Sequence, residues 1–193
     1  MMKLILASAS PRRSELLSII TKKFDVLASD FDENSIVHRG NNSEYVMNIA
    51  LGKALRTSKF FNSEAIILAC DTIVCLKNEV LGKPSNKEDA VRMLNMLSGN
   101  KHEVFSGIAL YNNVTGKIIT DFQSTTVYFS KMSSMQIEDY INTGEAYDKA
   151  GAYGIQGKAA IYVEGIEGCY YNVMGLPLSK LVHLFSEMGV NFN

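Results

Sequence analysis

The sequence, 193 residues long, is poor in the features that mark secreted, linker-divided or membrane-spanning proteins. It has three cysteines and three prolines, and no Pro- or Gly-rich stretch divides it. The cysteines form neither a CxxC pair nor a Cys/His ligand cluster, and an odd number of thiols is typical of a reducing compartment. The apolar run at residues 4–7 is too short for a signal segment or a bilayer span. We therefore expect a cytoplasmic protein with no membrane partner.

Charge of one sign is also missing, because 19 Lys and Arg face 20 Asp and Glu, a formal charge of -1. Proteins that bind DNA or RNA usually carry a basic excess, so we expect no nucleic-acid partner, although a local basic pocket for a small anion stays open. Apolar residues at 47% and charged residues at 20% exclude disordered and fibrous classes. A chain of this length buries roughly 70% of its unfolded surface. It therefore needs no disulfide or structural metal, and we expect one domain over residues 1–193, with two lobes as an alternative.

Hydrophobic patterning predicts strands and helices that alternate along the chain. Strands are predicted at 3–7, 24–28, 65–69, 104–111, 117–129 and 159–166, with a hairpin over 72–81 that turns at 77–78. Helices are predicted from Pro11, at 43–60 with Ser43 as the cap, and at 85–97, 134–142 and 178–188. The hairpins require antiparallel pairing, so the predicted fold class is α/β, with a mixed, partly antiparallel twisted sheet flanked by helices.

The first candidate site lies where the first strand meets the first helix. Ser8 and Ser10 stand there with Arg12 and Arg13, at a helix start whose backbone N–H groups and dipole favour an anion. Arginine also suits bidentate phosphate contact. The alternative is an ordinary capped helix with its arginines in water.

The second candidate is Asp71, which is predicted at the C-terminal end of a buried strand. Ligands of α/β sheets collect at such ends. A carboxylate there can bind a divalent metal or act as a general base toward water. The alternative is an aspartate that caps its own turn.

Three further charged residues are weak signals when each is taken alone. Lys53 lies toward the apolar side of its helix, and Lys83 sits in a Gly-Lys-Pro sequence. Either lysine could serve as a point charge for phosphate, or could be an ordinary surface side chain. Glu33 belongs to an acidic pair of the kind that usually lies on a solvated loop.

Residues 148–157 (DKAGAYGIQG) combine three glycines, an aromatic ring and a glutamine. Tyr153 could pack on a flat ring, and Gln156 could read a base edge with its donor and its acceptor. The alternative is a glycine-rich loop with a packed tyrosine. The three histidines show no metal-ligand spacing, and neither a nucleophile elbow nor a Walker A loop occurs.

Taken in order along the chain, these motifs resemble those of the Maf family of nucleoside triphosphate pyrophosphatases. The matching segments are residues 8–17 (SASPRRSELL), 32–33 (DE), 53–54 (KA), 71–74 (DTIV), 82–84 (GKP), 93–99 (MLNMLSG), 148–157 (DKAGAYGIQG) and 172–178 (NVMGLPL). The order and spacing carry the resemblance more than any single motif does.

The resemblance implies a Maf/inosine-triphosphatase-like fold, a single elongated unit with a central nucleotide cleft. It implies hydrolysis of a nucleoside triphosphate between its α and β phosphates, with Mg²⁺, Mn²⁺ or Co²⁺ as cofactor, and a homodimer as a further possibility. Asp71 matches the family's proton acceptor. The specificity positions match Arg12, Thr72 and Gln156, which indicates the dTTP/UTP branch and the removal of modified nucleotides as a family-level role.

The residues and the resemblance together give one expected site. A triphosphate would contact Ser8, Ser10, Arg12, Arg13, Lys53 and Lys83, and a divalent metal would contact Asp71 and Glu33. Whether Asp71 acts as base, as metal ligand or as both stays open. Two other functions also stay open: a nucleotide-binding regulator of septum formation, and a pyrophosphatase for another nucleotide such as 7-methyl-GTP.

Overall fold

The computed structural model describes residues 2–77 and 79–191. The strands are β1 (Lys3–Leu6), β2 (Asp25–Val26), β3 (Ala65–Leu76), β4 (Glu79–Leu81), β5 (Lys101–Asn112), β6 (Ile118–Phe129) and β7 (Val163–Glu167). The helices are α1 (Pro11–Ile20), α2 (Asn42–Ser58), α3 (Lys87–Leu97), α4 (Ser134–Ile141), α5 (Tyr170–Met174) and α6 (Leu178–Met188). Short 3₁₀ turns lie at Glu33–Ser35, Ala150–Ala152 and Lys158–Tyr162.

The seven strands form one mixed sheet, which confirms the predicted fold class. Their order is β2-β1-β3-β5-β6-β7, and β4 pairs with β3 outside that path. β1 runs parallel to β2 and to β3, with Leu6 opposite Leu68. β3 with β4 and β6 with β7 are antiparallel. Among residues 2–77 and 79–191, none of the helices has the length and hydropathy needed to cross a bilayer.

Several predicted boundaries were wrong. The apolar strand predicted at 65–69 runs on to Leu76, so Asp71 lies inside a twelve-residue strand instead of at its C-terminal end. Burial on both sides of Asp71 explains the difference, because packing outweighs the weak β propensity of aspartate. Residues 158–162 are a 3₁₀ turn and not the start of a strand, and α5 was not predicted. The predicted turn residue 78 lies outside the described part of the chain.

The chain divides into two compact units. The first unit comprises residues 1–71, 106–123 and 175–193, and the second comprises 72–105 and 124–174. The core of the first unit is made largely of small residues that α2 shares with β1, β3 and β5: Ile5, Ala7, Ala50, Ala54, Ala65, Ile67, Ala69 and Ala109. Small side chains let the α2 backbone approach the strands closely, and Gly107 of β5 lies directly against the backbone of Val46. Lys53, which lies between Ala50 and Ala54, is therefore drawn into the interior.

The second unit has a larger apolar core. Its centre is the packing of α3 and α4 on the later halves of β3 and β6, with Leu81, Leu94, Leu97 and Val127 fully buried. Gly151 sits at the start of the predicted glycine-rich block, and its N–H donates to the carbonyl of Gly82 at 3.0 Å. That bond joins two motifs that are about 70 residues apart in the sequence.

Candidate active site

A buried ion pair lies in the first unit, between α2 and β3. Lys53 Nζ of α2 is 2.7 Å from Asp71 Oδ1 of β3 and 2.8 Å from Glu33 Oε1. The side chains of Lys53 and Asp71 are 11% and 9% exposed, and that of Glu33 is 54% exposed. The cluster therefore runs from the protein interior to the solvent, with one ammonium between two carboxylates. We call these three residues the charged cluster.

Glu33 is brought to the cluster by the segment that precedes α2. Arg56 of α2 makes a bidentate ion pair with Asp30, at 2.8 and 2.6 Å. The Phe31 ring packs so closely on Gly52 that a side chain there would collide with it. The carboxylate of Asp32 then caps the 3₁₀ turn by accepting the Asn34 N–H at 3.0 Å. Contacts on both sides thus fix Glu33 over the end of Lys53, although the acidic pair suggested only a solvated loop.

Tyr45 is a member of this region that sequence reasoning missed. It lies on α2 two turns before Lys53 and is half-buried, with its ring edge-on to His38 at 5.0 Å between centroids. Burial, together with the carboxylates of Asp71 and Glu33, raises the pKa of the Tyr45 hydroxyl above its usual value. Tyr45 therefore lies within the electrostatic reach of the cluster as a neutral hydroxyl. Its helical spacing from Lys53, eight positions further along the chain, is the signal that could have found it.

The start of α1 carries the predicted serines and arginines. Ser8 is buried, and its Oγ accepts the Ser10 N–H at 3.2 Å and Arg13 Nη1 at 3.4 Å. Ser10 is the N-cap residue, as predicted, but its side chain makes no capping bond. The first turn holds Arg12 and Arg13 and no acidic residue. Cations at the positive end of a helix dipole are unfavourable for folding, so this arrangement favours an anionic ligand.

A carbonyl of the 172–178 motif connects α1 with β3. The oxygen of Gly175 accepts Arg13 Nε at 2.9 Å and the Cys70 thiol at 3.3 Å. Cys70 immediately precedes Asp71. Within the first unit, the Gly175 carbonyl is therefore an acceptor that Arg13 of α1 and Cys70 of β3 share. The sequence motifs did not predict this connection.

The other predicted site residues belong to the second unit. Thr72 follows Asp71 in β3 and is half-buried, Lys83 is exposed beside the buried Pro84, and Gln156 is exposed. The Gly151–Gly82 bond brings the Lys83 loop and the block that carries Gln156 together. Tyr153 is buried, and its hydroxyl bonds His102 Nε2 at 2.8 Å. Of the two interpretations of Tyr153, the structure shows the alternative, a tyrosine packed in the interior, and this burial leaves little of its ring to stack on a ligand.

The carboxylates of the charged cluster can be compared with the ligands that a divalent metal usually has in proteins. Across residues 2–77 and 79–191, no group of three or more His, Cys, Asp or Glu side chains could hold a metal ion. Mg²⁺, however, is usually held by one or two carboxylates, with water and substrate phosphate oxygens completing its shell. Glu33 and Asp71, both bound to the same ammonium, fit that pattern.

The mixed α/β fold thus combines a buried carboxylate beside a lysine with two arginines at a helix start, a position that favours an anionic ligand. The family model described as Maf-like protein matches residues 3–188. The chain therefore belongs to the Maf family, as the resemblance of its motifs implied.

Similar proteins match this chain over nearly its full length. A protein of Clostridium botulinum (strain Kyoto / Type A2), named dTTP/UTP pyrophosphatase, is 56% identical, with 99% of this chain and 100% of that protein covered. One of Clostridium tetani with the same name is 53% identical, covering 98% and 100%. The structure of the Staphylococcus aureus Ham1 protein matches with a TM-score of 0.51 at 12% identity, covering 97% of this chain and 99% of that one. A HAM1 protein from Coxiella burnetii gives 0.51 at 15%, covering 97% and 100%. The two structures support the fold alone.

Proposed function

We propose that this chain is a pyrophosphatase that hydrolyses dTTP and UTP between the α and β phosphates, releasing the nucleoside monophosphate and pyrophosphate. The observation that carries the proposal is the buried Lys53–Asp71 pair, which belongs to a chain whose full-length relatives are named dTTP/UTP pyrophosphatase. A buried carboxylate is costly to keep charged, so its retention beside a lysine supports a chemical role.

Asp71 is the group proposed to hold the attacking water. One of its oxygens accepts Lys53 Nζ, and the carboxylate has further lone pairs for a water proton. The ammonium of Lys53 pairs with this carboxylate inside the protein and so offsets the cost of burying it. A carboxylate is a suitable general base toward water. Attack of that water on the α phosphorus would break the bond to the bridging oxygen, and pyrophosphate would leave with that oxygen.

The phosphates would be bound by the start of α1. Arg12 and Arg13 supply two guanidinium groups, and the hydroxyls of Ser8 and Ser10 lie at the same helix end. Lys53 has three N–H donors, two of which point to the carboxylates, so the third suits a phosphate oxygen. Phosphoryl transfer depends mainly on such positioning and charge stabilisation.

Glu33 and Asp71 are the residues that would hold a divalent cation. When bound, the cation would neutralise phosphate charge and polarise the anhydride. Lys53 already holds these two carboxylates together, so this lysine preorganises the donor pair. If this role is right, Mg²⁺ raises the melting temperature of the protein, and the increase is smaller in Glu33→Gln.

Three assignments rest on the motif match and stay predictions: Lys83 as a further phosphate contact, and Thr72 and Gln156 as base-recognition residues. Cytoplasmic location is likewise proposed. Cys70, Cys75 and Cys169, all within the described residues, are thiols and not disulfides, which is the state a reducing compartment maintains. A homodimer and the removal of modified nucleotides are further proposals that follow from family membership.

Pyrophosphate release from a panel of triphosphates tests the proposal. The panel contains dTTP, UTP, CTP and 7-methyl-GTP, with Mg²⁺ or Mn²⁺ and with a chelator. Asp71→Asn should lower turnover by on the order of 10²–10⁴, because the amide cannot act as a base. It should still fold, since its oxygen can accept Lys53 Nζ and Glu33 still pairs with that lysine.

Asp121→Asn is the matched control, because Asp121 also pairs with a lysine, Lys180, at 2.6 Å in the same unit. It should keep wild-type turnover. Near-wild-type turnover in Asp71→Asn would exclude its role as base. Binding of nucleotides without release from any of them would favour a nucleotide-binding regulator, and a preference for 7-methyl-GTP would place the chain in another branch.

A further inference from the structure

The segment that carries Gln156 is held by two charged side chains with no assigned function, Glu145 and Lys149. All three residues belong to the second unit. Gln156 is exposed, whereas its neighbour Ile155 is buried. An exposed side chain on a loop is free to move unless its backbone is fixed, so the contacts around it decide how precisely it is presented.

The backbone of Glu145 is fixed by the end of α4. The helix closes with bonds from the N–H groups of Thr143 and Gly144 to the carbonyls of Tyr140 and Ile141, each 3.0 Å. The Glu145 N–H then donates to the Thr143 hydroxyl at 3.3 Å. The residue therefore leaves a rigid helix end with its direction determined.

The carboxylate of Glu145 reaches across to the far side of the Gln156 turn. Its Oε2 accepts the backbone N–H of Lys158 at 2.9 Å. The carboxylate also occupies the space that a side chain at residue 157 would fill, and a Cβ there would collide with Oε2. Gly157 has φ -94°, which any residue can adopt, so the close approach of Glu145 is what requires glycine.

Lys149 holds the near side of the turn. Its Nζ donates to the carbonyl of Glu145 and to Asp148 Oδ1, both at 2.6 Å. Its aliphatic chain lies against Gly154, where an added Cβ would be 2.7 Å from Cε. The Gly157 N–H closes the turn on the carbonyl of Gly154 at 3.1 Å. Both glycines that flank Gln156 are thus packed against the Glu145–Lys149 pair.

We propose that Glu145 is a positioning residue for base recognition: by binding the Lys158 N–H and filling the space beside Gly157, it fixes the turn that presents Gln156. The inference rests on the proposed function, because Gln156 is taken as the residue that distinguishes bases. Glu145 acts through its oxygen as an acceptor and not through its charge, since Lys149 contacts its carbonyl instead of its carboxylate.

The test compares kcat/KM for UTP with that for CTP, together with hydrogen exchange of the peptide that covers residues 154–158. Glu145→Ala should lower the UTP/CTP ratio about 10-fold, the equivalent of one well-placed hydrogen bond. It should also speed exchange in that peptide. Glu145→Gln should keep both near wild type, because its amide oxygen can accept the same N–H. Glu138→Ala removes an exposed carboxylate of α4 and is the control.

A second variant distinguishes loss of the Glu145–Gly157 contact from simple misfolding of Glu145→Ala. Gly157→Ala should lower the ratio in the same way, because its methyl group displaces the carboxylate. In Glu145→Ala/Gly157→Ala the methyl group no longer meets a carboxylate. The loss in the UTP/CTP ratio of the double variant should therefore be smaller than the sum of the losses of the two single variants.

An unchanged UTP/CTP ratio and unchanged exchange in Glu145→Ala would overturn the proposal, as would an equal loss on both nucleotides, which indicates a purely structural role. A wild type that releases no pyrophosphate would reject the proposed function instead. In that case unchanged exchange at 154–158 would still overturn the positioning role.

Discussion

The two units bury titratable side chains in opposite ways. In the first unit, Lys53 and Asp71 are buried as opposite charges 2.7 Å apart. In the second, His102 is 2% exposed and packs edge-on to Phe129 and Tyr153 at 5.1 and 5.3 Å between centroids. Burial lowers the pKa of His102 to about 4, so it is neutral at pH 7. The first unit thus keeps a charged pair in its interior, whereas the buried His102 of the second unit is uncharged at pH 7.

The cost of each arrangement differs when one partner is lost. A charge without its partner is left in a poorly solvated place, whereas a neutral ring loses only packing and one hydrogen bond. Three measurements test this difference between the two units.

Lys53→Met should give the largest effect. It leaves the Asp71 carboxylate buried and removes the ammonium that lies between Asp71 and Glu33. We expect a loss of roughly 3–5 kcal/mol in the free energy of unfolding, measured by urea denaturation. Lys53→Met/Asp71→Asn should recover most of that loss, because the unpaired charge is gone. A double variant as unstable as Lys53→Met would show that packing, not charge, is what Lys53 contributes.

His102 should give an intermediate effect that depends on pH. Between pH 6.5 and about 4 the unfolded chain binds a proton at His102 that the folded chain does not. The contribution of the neutral His102 to the free energy of unfolding is fully present above pH 6.5. It is lost as the pH falls toward 4, and the total loss is at most about 3 kcal/mol. His102→Gln, which cannot titrate but can bond the Tyr153 hydroxyl, should lose less unfolding free energy between pH 7 and 4.5. An equal loss of unfolding free energy in wild type and in His102→Gln would contradict the conclusion that His102 is buried in its neutral form.

Lys180→Met should give the smallest effect. Its pair with Asp121 is as short as the Lys53–Asp71 pair, at 2.6 Å, but the side chains are 27% and 37% exposed. Water screens such a pair, so a loss of about 1 kcal/mol or less is expected from the same urea measurement. A loss equal to that of Lys53→Met would show that exposure is not what separates the two pairs.

Much of the secondary structure and many of the site residues could be predicted from the sequence. Periodicity predicted the alternation of strands and helices, and hydroxyl and charged residues marked the start of α1. The boundaries failed where packing overrides local preference. Asp71 reads as a strand end because aspartate is rare within strands, yet β3 continues through it to Leu76. Ser43 reads as the cap of α2, but Asn41 performs that role by accepting the Glu44 N–H at 3.2 Å.

Within the site, the residue types were predictable and their partners were not. Lys53, Asp71 and Glu33 could each be chosen as chemically suited to a triphosphate or a metal. Their meeting depends on the small residues of the α2 core and on the contacts that fold residues 30–35 over α2. Glu145 gave no sequence signal, because its role is visible only through the space beside Gly157.

The order of side chains along the chain is enough to predict the fold class, the family and the types of reactive groups. The three-dimensional packing is needed to know which charges are buried and paired, which tyrosine belongs to the core, and which carboxylate holds the Gln156 turn. Those outcomes depend on distances of about 3 Å between residues that are far apart in sequence, and local preference carries no information about such distances.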